Sequence, residues 1–164
     1  MIESPNTTES AKSNFKAIRI LCLALIVGAS VFAVIIVVLN LASGPVMPDE
    51  GQAYKTVFLS VVAVVTLLCV WRAFRIYNKG ITAIKNSPAS LNDKLNQYRS
   101  VIVIYMALCE GPALFSIIIF FLIGDYIVLG VTGAMILAML FRMPQRRKMT
   151  IELELNFQEQ QQLE

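Results

Sequence analysis

The chain has 164 residues, room for one domain, with a net charge of +3, 57% hydrophobic and only 15% charged residues. That balance is too apolar for an ordinary soluble domain, and the apolar residues come in long runs rather than evenly spread. There is no histidine, which excludes histidine metal clusters and Ser-His or Cys-His catalysis within the chain.

The sequence opens on a polar stretch, ESPNTTESAKSN, and residues 1–16 are expected to be a disordered cytoplasmic tail. Four runs then lack charge over membrane-scale lengths: 20–41, 56–71, 100–123 apart from Glu110, and 126–141. A spanning helix needs roughly 20 residues, with about 17 tolerated. The first and third runs qualify outright, and Lys55, Arg72 and Arg142 can snorkel to extend the other two. An unpaired backbone is too costly in lipid, so all four are expected to be helices. The first run is too long for a cleaved signal peptide. ASGPVMPDEGQ (42–52) carries Gly, Pro and acids and reads as a short exposed connection, whereas GDY (124–126) barely separates the last two runs. Cys22, Cys69 and Cys109 lie inside apolar runs without C-x-x-C spacing and read as small hydrophobes.

Lys and Arg give the orientation. Lys12, Lys16 and Arg19 precede the first run. Arg72, Arg75, Lys79, Lys85, Lys94 and Arg99 separate the second and third, and Arg142, Arg146, Arg147 and Lys148 follow the fourth. The other two loops hold only Lys55, beside Asp49, Glu50 and Asp125. The positive-inside rule then places both termini in the cytoplasm of a multi-pass protein, expected in the cell (inner) membrane.

The second helix is expected to continue past the bilayer. Phe74, Tyr77, Ile81 and Ile84 recur at helical spacing, Asn86-Ser87-Pro88 reads as a turn, and Ser90 with Asp93 resembles an N-cap with its acidic partner. Leu91, Leu95, Tyr98 and Ile102 carry one stripe into the third run. Two antiparallel helices, about 54–86 and 91–123, follow from this. The expected fold is therefore all-α, an integral membrane four-helix bundle over 17–142. Its second and third helices extend into a cytoplasmic helical hairpin over 72–99. Arg72, Arg75, Lys79, Lys85, Arg146, Arg147 and Lys148 are expected to contact lipid phosphate or an acidic partner, and nucleic acid is not a partner this pattern calls for.

Glu110 stands apart. A carboxylate inside a span costs at least about 2.5–3.5 kcal/mol, and no Lys or Arg lies within any span to neutralise it. Aligning the runs by their midpoints puts Ser30, Thr66, Glu110 and Thr132 at similar depth. Gly111 and Pro112 mark a helix kink, and Pro112 lacks the amide hydrogen that would satisfy the Leu108 carbonyl. Glu110, that carbonyl and nearby hydroxyls could hold a proton, a cation or a water. They could equally join helices or subunits, helped by small residues at Ala24 and Gly28, at Ala107 and Gly111, and at Gly130, Ala134 and Ala138. A bound lipid or small molecule is a third use. No metal site or cofactor is expected.

The stretch Ala107-Leu108-Cys109-Glu110-Gly111, followed by Leu114-Phe115 through Phe121-Leu122, resembles the carboxylate-bearing helix of rotary ATP synthase c subunits. The loop GITAIKNSPASL (80–91) is similar to that family's polar loop between two helices. The resemblance covers about residues 80–123 and implies that Glu110 is an ion-binding carboxylate. The second run lacks the family's glycine series, and extra helices flank the hairpin on both sides.

Residues 143–164 form a cytoplasmic tail in which Met149, Ile151, Leu153, Leu155 and Phe157 alternate with polar residues. A lone strand is unstable, so residues 149–164 would pair with a cytoplasmic partner or a second copy, or else fray or lie on the surface as helix. The function expected is a small polytopic membrane scaffold or accessory subunit, in a homo-oligomer or with a partner membrane protein and surrounded by lipid. The alternative is a proton- or cation-binding subunit using Glu110. No intramembrane acid pair or phosphate-binding glycine loop points to an enzyme.

Overall fold

The computed structural model describes residues 5–48, 53–89, 91–145 and 151, with side chains described from Phe15 onward except at 91 and 92. Among the described residues the chain is all-α. Its four helices are α1 (Pro5–Ser43), α2 (Lys55–Lys85), α3 (Leu91–Ile123) and α4 (Tyr126–Phe141). Phe15–Ser43 of α1, the whole of α2 and Asp93–Ile123 of α3 are long and apolar enough to cross a membrane. With 16 residues, α4 is shorter.

Helix α1 begins at Pro5, inside the stretch expected to be disordered. Proline suits a first helical position, and no Gly or Pro follows before Gly28. Once the apolar part of α1 is helical, each added residue needs propagation only, not a new nucleus. The α2–α3 hairpin forms at 55–85 and 91–123, each boundary within a residue of the expected one. At its turn the Asn86 amide donates to the Thr82 carbonyl at 3.2 Å, the Ser87 amide to the Ile84 carbonyl at 3.1 Å, and the Ala89 amide to Ser87 Oγ at 3.3 Å. Ser90, the expected N-cap of α3, lies outside the described residues. Helix α3 runs through Pro112 without a break.

The axis of the bundle is α3. It packs against α1, α2 and α4, whereas α1 and α2 scarcely meet. Nearer the hairpin turn, Phe15, Ile18, Cys22 and Ile26 of α1 share one core with Tyr77 and Ile84 of α2, with Leu95, Tyr98, Ile102, Met106 and Cys109 of α3, and with Met139 of α4. The α3 side of the hairpin is thus covered by α1 as a third helix. Phe74, which shares the helical spacing of Tyr77 and Ile84, is 52% exposed. At Gly80 the two hairpin helices approach so closely that a Cβ would overlap the Val101 side chain. A second core joins Ile36 of α1 and Val62 of α2 to Ile117, Ile119, Phe120 and Ile123 of α3 and Val128 of α4.

Polar contacts tie the end opposite the hairpin turn. The loop after α1 folds onto the last turn of α3, where the Val46 and Met47 amides donate to the Phe121 and Leu122 carbonyls at 3.2 and 2.9 Å. Those carbonyls would otherwise be orphaned at a helix end. Gly124 ends α3 at φ 71°, its amide donating to Phe120 O at 2.8 Å. Asp125 then caps α4, Oδ1 accepting from the Ile127 amide at 2.9 Å, while Oδ2 takes Lys55 Nζ at 2.6 Å. One carboxylate therefore fixes the start of α2 to the start of α4.

Candidate functional site

Two contacts set the registers against α3. The Tyr77 and Tyr105 rings meet edge to face, centroids 5.6 Å apart, and the Arg142 guanidinium lies 4.4 Å from the Tyr77 ring centroid. Arg142 and Cys109 both interact with the Tyr105 hydroxyl. These side chains define one level across α2, α3 and the end of α4. Further along, Asn40 Nδ2 donates to Phe120 O at 3.4 Å and sets α1 against α3.

Glu110 stands five residues beyond Tyr105, about 7.5 Å at helical rise. It is half-buried, on the flank between buried Cys109 and exposed Gly111. Among the described residues nothing hydrogen-bonds or ion-pairs with it. Ser30 is level with it, both lying ten residues before the Asn40–Phe120 contact. The Ser30 hydroxyl, however, donates to its own helix at Ile26 O, 2.7 Å away.

The other two hydroxyls lie elsewhere. Thr132 Oγ1 meets Ser116 Oγ at 2.7 Å, and Ser116 Oγ also donates to Ala113 O at 2.9 Å. Ser116 is six residues past Glu110, about 9 Å along the helix. Thr66 precedes Tyr77 by as many residues as Ser116 follows Tyr105, so it joins that layer too. Its Oγ1 is shielded and has no hydrogen-bond partner among the described residues. The polar residues that midpoint alignment gathered at one depth thus form two layers, Ser30 with Glu110, and Thr66, Ser116 and Thr132 nearer the other end. Leu108 is half-buried on α3 one turn before Pro112.

Sequence reasoning missed Ser116, although it is the lone hydroxyl between Ala113 and Ile123. Asn40, polar within an apolar run, gave a similar signal. The Tyr77–Tyr105–Arg142 cluster gave none, because its members are far apart in sequence.

On the outer side of α2, Trp71, Arg72, Arg75, Ile76 and Lys79 line a groove of about 260 Å³, with the Arg75 guanidinium 4.4 Å from the Trp71 ring centroid. Lys85, exposed, lies beyond the groove at the end of α2. Arg146, Arg147 and Lys148, together with the alternating tail apart from Ile151, lie outside the described residues. Cys22 and Cys109 are buried, and Cys69 is half-buried. Among the described residues no three His, Cys, Asp or Glu side chains group as a metal site.

These features define an all-α bundle with three helices long and apolar enough to cross a membrane and few internal polar contacts. Compared with protein-family models, curated proteins and solved structures, the chain matches none of them.

Proposed function

We propose that this chain is a small polytopic membrane scaffold or accessory subunit, which packs through its helices with copies of itself or with a partner membrane protein. One observation carries the reading: the side of α3 that its neighbours leave uncovered. Ile104, Ala107, Gly111 and Ile118 are exposed there, and Glu110, without an internal partner among the described residues, sits at the edge. A Cβ at Gly111 would meet nothing within 4 Å. Small residues let a second helix approach, and a carboxyl beside them gains a partner across the interface. The proposed orientation has both termini in the cytoplasm and the hairpin turn on that side, since the basic residues cluster there. Helix α4 is short, but Asp125 with Lys55 at one end and Arg142 at the other suit the two surfaces of a bilayer. Residues 149–164 are the proposed contact for a cytoplasmic partner.

A second reading is favoured by the same unpaired carboxyl. Glu110, level with Ser30 and close in sequence to the Leu108 carbonyl that Pro112 leaves without its donor, would bind a proton or cation. The resemblance to c subunits supports this version.

Purification in mild detergent with mass measurement tests the proposal. The wild-type chain is expected to run larger than one copy or with a partner. Gly111→Leu is expected to release the contact, and Glu110→Gln to keep it. A wild-type single chain without a partner would sink the scaffold. Loss of function in Glu110→Gln with assembly intact, together with cation-protected carbodiimide labelling of Glu110, would establish the second reading.

A further inference from the structure

The face of α2 opposite its packed side carries a groove that the bundle does not use. Trp71, Arg72, Arg75, Ile76 and Lys79 line about 260 Å³ there. The residues that α2 buries in the bundle, Ala73 and Tyr77, point away from it. Trp71 is 53% exposed, so a large apolar ring is left uncovered beside three cations. Among the described residues, no carboxylate pairs with Arg72, Arg75 or Lys79. Arg75 instead lies over the Trp71 ring, 4.4 Å from its centroid. The groove sits where α2 changes from the apolar run to charged sequence, near the level of Tyr77, Tyr105 and Arg142.

We propose that this groove is a binding site for the phosphate headgroup of an anionic lipid in the cytoplasmic leaflet. The inference rests on the membrane placement proposed above. A guanidinium fork grips phosphate oxygens through two donors, and Arg72 and Arg75 stand one turn apart. Lys79, a turn further from the bilayer, adds a compact charge for a second anionic group on the headgroup. Trp71 lies on the membrane side of the cluster, where an indole ring packs on the glycerol and upper acyl carbons. Its stacking on Arg75 holds that guanidinium at the mouth of the groove. Inorganic phosphate offers the same oxygens but no chains for Trp71, so lipid should outcompete it.

Trp71 is the sole tryptophan, and its fluorescence reports the groove directly. The protein is placed in nanodiscs containing zwitterionic lipid and a minor fraction of brominated lipid, either anionic or zwitterionic. Brominated anionic lipid is expected to quench Trp71 as if enriched beside it roughly fivefold, the discrimination one basic side chain gives at an anionic surface. The preference should fall in Arg72→Gln/Arg75→Gln/Lys79→Gln and in high salt, and persist in millimolar inorganic phosphate. Equal quenching by the two brominated lipids in the wild type would overturn the site while leaving the membrane placement standing. Quenching by neither would overturn both. Loss of the preference in millimolar phosphate would overturn a lipid-selective groove in favour of a free-anion one. The wild-type comparison decides the matter even if the triple variant fails to fold.

Discussion

Replacing Asp125 with Ala removes two contacts at once, and their sizes can be separated. The first is the N-cap of α4, where Asp125 Oδ1 accepts from the Ile127 amide at 2.9 Å. Losing such a cap costs about 1 kcal/mol. The second is the pair with Lys55 at 2.6 Å, in which the lysine is 40% exposed and the carboxylate 9%. Exposure of the lysine screens that pair, so its share is at most about 1 kcal/mol. Asp125→Ala is therefore expected to cost about 1–2 kcal/mol. Asp125→Asn keeps a capping oxygen and loses the charge, so it should cost about half as much. Lys55→Ala should match Asp125→Asn. The pH dependence has a fixed sign. Hydrogen bonds from Lys55 and from the Ile127 amide hold the Asp125 carboxyl below its ordinary range. A carboxyl depressed in the folded state adds stability above its unfolded value, about 3.9, and loses it as pH falls through the folded value. The wild type should thus weaken below about pH 4 relative to Asp125→Asn. Reversible unfolding in mixed micelles, followed by circular dichroism across pH, measures all of this. Asp125→Ala with wild-type stability at neutral pH would refute the account of this end of the bundle, and a difference from Asp125→Asn unchanged by acid would refute the ion-pair part.

Two further outcomes follow from the packed interior. A double-mutant cycle on Ser116→Ala and Thr132→Val should give a coupling of about 0.6 kcal/mol, with roughly 1.7 as a ceiling, the range of interhelical hydrogen bonds in membranes. Thr132 also lies 3.4 Å from Ala113 O, so Ser116→Ala alone should cost little, and the same micelle unfolding assay reads it. Gly124→Ala should cost at least about 1–2 kcal/mol, because its φ of 71° suits glycine and a Cβ would stand 3.2 Å from Pro45. A Gly124→Ala protein as stable as wild type would show that the loop after α1 does not hold α3 as described.

The helix boundaries were readable because turn chemistry brackets each apolar run. Asn86-Ser87-Pro88 and Gly124-Asp125 stop and restart helices where the structure does. Relative depth was not readable in the same way. Midpoints assume that each helix centres itself independently, but side-chain contacts fix the registers. Thr132 is held by Ser116, and Asn40 by Phe120, so Thr132 sits well beyond Glu110. Helix α1 starts inside the stretch that composition alone reads as a disordered tail. Residues 5–16 are polar, yet they continue a helix that already exists, which costs less than starting one. Glu110 was conspicuous because a carboxyl in an apolar run is rare, but which side of α3 it takes depends on three neighbouring helices, beyond the reach of any local pattern.

The arrangement around α3 also bears on the order of assembly. The first two helices leave the ribosome with almost no surface for each other, since each packs mainly on the third. On the proposed membrane placement they would wait in the bilayer as independent rods, and the bundle would close late, when α3 and then α4 arrive. On that placement, a chain cut after the second helix would hold two segments with little to hold them together, an easy target for proteolysis.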